Sequence, residues 1–302
     1  MEELAHAVKL QQETWGPRFD DVVSAALMLV AQKIGGIAAG AFLDDNPPPR
    51  EPIGILFGLS GFRDDERIHW SHMLAIAPPH QGRGIGRLMK LYQRARARAL
   101  GIRRIYWTFD PLEARNAHFN LNVLRVTVDE YVPDMYGSGE SSPLHRGIGT
   151  DRFVVRWDVS GDEDESGDED ESGDVDGARS DAQILTWQGD EATADLTKAP
   201  RPEPASIRAG APSGAERTEI PPGAEHTEIP PGGEGTEIPP GSERIEIPPD
   251  IQRLKASNPD EAMQWRTATR AAFVHHLHQG RRIAGFTRDP RTGSFYYIVA
   301  PA

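Results

Sequence analysis

The stretch His80-Gln81-Gly82-Arg83-Gly84-Ile85-Gly86-Arg87 has residue types and spacing that suit chemistry. Glycines at alternate positions let the backbone approach a ligand closely, because no Cβ stands in the way. Gly86 to Leu100 then reads as a basic helix, and a helix start points free N–H groups outward. Such amides at a helix's positive end form a seat for a phosphate or pyrophosphate. The spacing excludes the commoner nucleotide loops. A P-loop continues with Lys and then Ser or Thr, whereas Arg87-Leu88 follows Gly86. A dinucleotide fingerprint needs glycine at 87 or 89, which hold Arg87 and Met89. A glycine-rich strand-to-helix connection without a ligand is the plain alternative.

The elements that must position this loop follow from periodicity. Glu3 to Glu13 and Val22 to Gln32 read as helices, Gly36–Leu43 and Ile53–Leu59 as buried strands. Asp44-Asp45-Asn46-Pro47-Pro48-Pro49 joins those strands as a turn. Arg67–Ala77 is a third strand that Pro78 and Pro79 close. The basic helix buries Leu88, Leu91, Tyr92, Ala95 and Ala99 and stops at Gly101. Arg103–Phe109 is the next strand, a helix around Ala114–Leu124 follows, and Arg125–Tyr131 and Phe153–Val159 are strand-like.

With 302 residues the chain can hold one or two domains. It has no cysteine, which excludes disulfides, thiolate-bound zinc and a thiol nucleophile. The start of the sequence has no apolar h-region, and Val22–Val30 and Ile34–Leu43 are too short to span a membrane. A cytoplasmic protein without membrane contact is the expectation. The net charge is −13, yet residues 160–177 alone carry ten acids and no base. Residues 81–104 carry eight Lys and Arg and no acid, which suits a polyanionic cofactor better than nucleic acid.

Composition changes abruptly after Val159. Ser-Gly-Asp-Glu-Asp-Glu recurs from Ser160, and from about Ser213 a nine-residue unit places isoleucine at 220, 229, 238 and 247. These segments carry too little apolar surface to offset their ordering entropy, so 160–244 reads as a disordered insertion. Order returns in 245–302. Asn258-Pro259-Asp260-Glu261 starts a helix that runs to about Gln279, with Ala262, Trp265, Thr269, Ala272, Phe273 and His276 inward. Arg282–Phe286 and Ser294–Val299 flank a hairpin turn. So short a piece needs the N-terminal part, 1–159, to pack on. His275, His276 and His278 have no acid at ligand spacing, and no metal is expected.

Gln81, Gly84 and Gly86 fit Q-x-x-G-x-G, and with the element order they resemble the GNAT superfamily of N-acyltransferases. Ser71-His72-Met73-Leu74-Ala75-Ile76, Trp107 to Glu113, Arg115-Asn116-Ala117 and Thr150-Asp151-Arg152-Phe153 look like a poorly characterised subfamily of it. The likeness covers roughly 1–158, and Asn258–Arg270 resembles the same group. It implies an α+β fold of three layers, with a mixed, mostly antiparallel sheet between helices. It also implies acetyl-CoA or another acyl-CoA as co-substrate, a small-molecule amine as acceptor, and allows a homodimer.

By that resemblance the backbone of Gln81, Gly82, Arg83, Gly84, Ile85 and Gly86 holds the CoA pyrophosphate. Arg83, Arg87 and Lys90 face the nucleotide phosphates. The edge of Leu74, Ala75 and Ile76 pairs with the pantetheine, Trp107–Phe109 splays away, and Asn116 reaches the arm. Family members often use a tyrosine as the thiolate's acid, but Leu121 stands at its place and Arg125 where glycine is usual. Tyr131 and Tyr136 lie downstream as substitutes. His72 is the candidate base, since imidazole titrates near neutrality; His69, an odd number of residues away, should face the other side of the sheet. Asp110 could hold the incoming amine or cap the next helix. Asp151-Arg152 suits a structural ion pair.

Overall fold

The computed structural model describes residues 2–16, 19, 21–43, 50–137, 146–160, 182–186 and 238–302. The Asp44–Pro49 turn, the acidic hexads beyond Ser160 and the repeat units before Ile238 lie outside the described residues.

Strands β1 (Ile37–Leu43), β2 (Gly54–Arg63), β3 (Glu66–Ile76), β4 (Arg104–Phe109), β5 (Thr127–Val132), β6 (Arg152–Asp158) and β7 (Ala182–Thr186) form one sheet. Its order is β5-β6-β4-β3-β2-β1-β7. All neighbours run antiparallel except β3 and β4. Two described stretches fall inside the interval that composition marks as disordered, against that expectation: Ala182–Thr186 pairs with β1 along its edge, and 238–244 lead into a strand that starts at Glu243.

Helices α1 (Glu2–Trp15) and α2 (Ala25–Lys33) cover one face. Leu4, Ala7, Leu10, Met28 and Ala31 pack on Ile55, Phe57, Met73 and Ala75. Helix α2 begins three residues later than its apolar run suggests, because the Ser24 hydroxyl caps the Leu27 amide. Helix α3 (Ile85–Ala99) covers the other face through Ile85, Met89 and Tyr92. The expected helix over Ala114–Leu124 is shorter and of two kinds. Helix α4 (Ala114–Ala117) passes into a π-helical turn, His118–Val123, closed by the Leu124 amide on the Phe119 carbonyl at 2.9 Å.

The C-terminal part adds β8 (Glu243–Ile247), α5 (Ile251–Ser257), α6 (Pro259–His278), β9 (Arg282–Arg288) and β10 (Phe295–Ala300). The strands form a second sheet in the order β8-β10-β9. It shares one apolar core with the first sheet: Phe273 of α6 stacks edge-on against Phe153 at 4.8 Å and Tyr297 at 5.2 Å. The side chain of Arg266, missed on the inner face of α6, donates to Asp110 at 2.6 Å and to the Ile148 carbonyl at 2.9 Å. Both partners are almost fully buried, so the contact fixes α6 to the end of β4.

Two features of β3 prepare a site. Its pairing with β2 passes from Phe57↔Met73 to Gly58↔Ser71, which leaves His72 as the extra residue of a bulge. Its pairing with β4 is limited to His69↔Ile105 and Trp70↔Tyr106. Beyond Trp70 the two strands part, and among the described residues no strand fills the gap.

Candidate active site

The glycine loop joins the open end of β3 to α3. Gly82 and Gly84 sit at φ 72° and 75°, left-handed conformations that glycine adopts without a Cβ penalty. The Gln81 side chain donates to the Ile76 carbonyl at 3.0 Å and pins the loop to β3. The first helical bond runs from the Leu88 amide to the Gly84 carbonyl. The amides of Gly82, Arg83, Gly84, Ile85 and Gly86 have no acceptor among the described residues. The first turn of α3 carries no acid, so no carboxylate competes for them. The Arg83 guanidinium donates to His80 Nδ1 at 3.2 Å, and partial burial together with Arg83 lowers the pKa of that imidazole. These five unpaired donors at a helix's positive end are chemically suited to a phosphate-bearing ligand.

Gly86 has space in front of it. A Cβ there would meet Leu74 Cδ2 of β3 and Phe119 Cζ of the π-helical turn, each at 3.9 Å. The slot beside the loop is therefore bounded by β3, the start of α3 and that turn. Asn116, exposed at the end of α4, lends its carbonyl to Asn120 Nδ2 at 2.8 Å. Asn120 in turn accepts from the Trp107 indole at 2.8 Å, tying the turn to β4.

The two lips of the opening present groups on the α1/α2 face of the sheet. His72 is exposed and stands edge-on to Phe57 at 6.1 Å. Desolvation by its surroundings lowers its pKa, opposed by the Asp21 carboxylate, so near neutral pH the ring is free to accept a proton. Across the gap, Thr108 of β4 shares a 3.1 Å hydrogen bond with the hydroxyl of Tyr136, itself half exposed. The bulge on β3 and the splay of β4 thus bring His72 and Tyr136 to one side of one opening.

Several sequence candidates lie elsewhere. Tyr131 donates its hydroxyl to Asp151 and packs on Phe153 and Phe273. Burial, reinforced by that bond, raises its pKa far above that of ordinary tyrosine, which makes it a poor acid. Burial alone would raise Asp151 too, but Arg270, Tyr131 and the Asp134 amide hold it below the usual carboxylate range. Asp110 is buried, accepts from the Leu112 amide at 2.9 Å and faces Arg266, so it holds a turn and an ion pair; the expected helix cap is not formed, since α4 has Glu113 at its N-cap with no side-chain bond. Arg152 donates to the Asp151 carbonyl at 2.8 Å and stands 3.8 Å from Asp110, while Asp151 bonds Arg270 of α6.

Lys90 does not face the phosphate loop. It is buried beneath the point where β3 and β4 part, donating to Ser71 Oγ at 2.8 Å and Gln93 Oε1 at 3.3 Å. Its amine lies 3.7 Å from the centre of the Trp107 ring, and burial pushes its pKa down to about 7. Gln93 also meets His69 Nε2 at 3.0 Å, on the α3 side, opposite His72 as parity requires. Burial, with Lys90 nearby, takes His69 down to about 3, so that ring is neutral. Lys90 lies on the buried side of α3 with Met89, Gln93 and Ala97, whereas Ala95 and Ala99, expected inward, are exposed and Leu88 is only partly buried.

Residues 8–119 match the acetyltransferase (GNAT) family model. No curated protein matches it. Among solved structures it is similar to a putative GNAT acetyltransferase from Desulfovibrio desulfuricans, 19% identical over 53% of this chain and 92% of that one, TM-score 0.39. It is similar as well to Arabidopsis thaliana NAA60 in complex with acetyl-CoA, 10% identical over 52% and 94%, TM-score 0.41. Aminoglycoside 6'-acetyltransferase type Ii aligns at 16% identity over 52% and 90%, TM-score 0.40. Among the described residues no group of side chains has metal-ligand geometry, and no helix is long and apolar enough to cross a membrane.

Proposed function

We propose that this chain transfers an acyl group, acetyl foremost, from acyl-CoA to the amine of a small molecule. The observation that carries this reading is the run of five unpaired amides, Gly82 to Gly86, at the mouth of two parting strands. A diphosphate satisfies those donors at a helix's positive end. Arg83 and Arg87 add charge beside it. The unpaired edge of β3 at Leu74, Ala75 and Ile76 offers main-chain groups to an extended amide-bearing arm, and exposed Asn116 a side-chain amide.

Acyl-CoA supplies an activated thioester carbonyl. His72 takes the proton lost by the amine as its nitrogen bonds the carbonyl carbon and the carbon–sulfur bond breaks. The Tyr136 hydroxyl, held on Thr108, gives the leaving thiolate its proton and regains one from water. A second reading, a silent acyl-CoA binder, is favoured by Leu121 at the family's tyrosine position and by the commitment of Tyr131 to Asp151.

Thiol release from acetyl-CoA, followed with a panel of small amines and with mass detection of the product, separates the two. Amine-dependent release supports transfer. Tight CoA binding without release supports the silent binder, and failure to bind CoA refutes both.

A further inference from the structure

The nine-residue repeat does not end outside the fold. Its last unit, Gly241-Ser242-Glu243-Arg244-Ile245-Glu246-Ile247-Pro248-Pro249, contains β8. There Ile245 and Ile247 are 6% and 1% exposed, and Pro248 is buried after them. Glu243 pairs with Arg281 at 2.9 Å and lies 3.7 Å from His276. Among the described residues β8 is an edge strand that pairs with β10, in a register from Phe295↔Ile247 to Val299↔Glu243.

Gly214-Ala215-Glu216-Arg217-Thr218-Glu219-Ile220-Pro221-Pro222 repeats that unit, with Ala215 for Ser242 and Thr218 for Ile245 as its changes. The units ending at Pro231 and Pro240 also keep the two glutamates and Ile-Pro-Pro. Positions shared by all four units include those by which β8 is held: the partner of Arg281, the deepest isoleucine and the buried proline after it. A sheet edge recognises a strand by main-chain bonds and alternate side-chain pockets, so β10 distinguishes these units chiefly at the Ile245 position. Threonine there gives up buried apolar surface, which leaves β8 the preferred occupant.

We infer that the seat of β8 against β10 is a docking groove for Glu-x-x-Glu-Ile-Pro-Pro units. Its reserve occupant is Gly214–Pro222 of the same chain, which takes the seat when β8 vacates it. Tethering favours the exchange, because a linked segment acts at raised effective concentration without any new contact. A second copy of the chain could offer the same unit, which is the strand-exchange route to oligomers.

Thermal unfolding of the full chain tests this. Ile247→Asp should lower Tm by no more than about 5 °C, because the reserve unit fills the seat. Adding Ile220→Asp, Ile229→Asp and Ile238→Asp should deepen the fall beyond about 10 °C, while those three alone leave Tm unchanged. Equal falls in the single and fourfold variants, or an Ile247→Asp chain that does not fold, overturn the proposal. The absence of cysteine allows a second readout. With Ile247→Asp, the pair Glu219→Cys and Tyr296→Cys should form a disulfide within the monomer, since Glu219 takes the place of Glu246 opposite Tyr296. No disulfide, or one found solely between chains, overturns the assignment to the same chain.

Discussion

Gly86→Asp separates ligand binding from folding. Gly86 lies at the second position of α3 outside the left-handed region, and its surroundings leave ordinary contact distance for a Cβ. An acid in the first turn suits the helix's positive end by about 0.3–1 kcal/mol, so Tm should hold or rise. A diphosphate on the neighbouring amides would instead meet a carboxylate at about 5 Å. At an effective dielectric constant of about 20, that repulsion is roughly 3 kcal/mol per charge pair. Affinity for CoA should therefore fall at least about 100-fold. Gly86→Ala, which keeps the amide and adds an uncharged methyl, should lose much less. Titration calorimetry at low and physiological salt, with a melting curve for each variant, makes the comparison. An unchanged affinity in a folded Gly86→Asp protein would falsify the assignment of the loop.

Other perturbations probe other parts. His72→Gln should cut kcat by about 100-fold or more, flatten the acid limb of the pH–rate profile and spare the KM for acyl-CoA; wild-type rates would remove His72 from the chemistry. Asp110→Asn strands the buried Arg266 and should cost about 3–5 kcal/mol in urea unfolding; lost activity at full stability would return Asp110 to the acceptor site. Lys90 titrates at about 7 when folded against 10.5 for its ordinary value, so the unfolded chain binds more protons between those limits. Stability should then be least below pH 7 and rise from pH 7 toward pH 10, with Lys90→Met flattening the slope; a wild-type protein insensitive over this range contradicts the burial of the amine.

Much of this arrangement was legible in the sequence because it is local. Alternation and the two prolines delimit β3, and the glycines announce a loop whose φ values demand them. Helix α6 declares its start through Asn258, whose side chain accepts from the Glu261 amide. What sequence could not give was pairing at a distance. Arg266 reads as one more surface charge until Asp110 is placed opposite it, 156 positions away. Tyr131 and Tyr136 look interchangeable in sequence, yet register sends one to Asp151 and the other to Thr108. The bulge at His72 likewise depends on how β2 meets β3. Ala182–Thr186 is too short and too poorly framed to declare itself without the open edge of β1.

A crystal structure with CoA bears most directly on the central claim. The diphosphate should accept hydrogen bonds at about 3 Å from amides between Gly82 and Gly86, with the pantetheine running along Leu74–Ile76 between β3 and β4. CoA bound elsewhere on the molecule, with those amides still bare and the strands' gap empty, would contradict it.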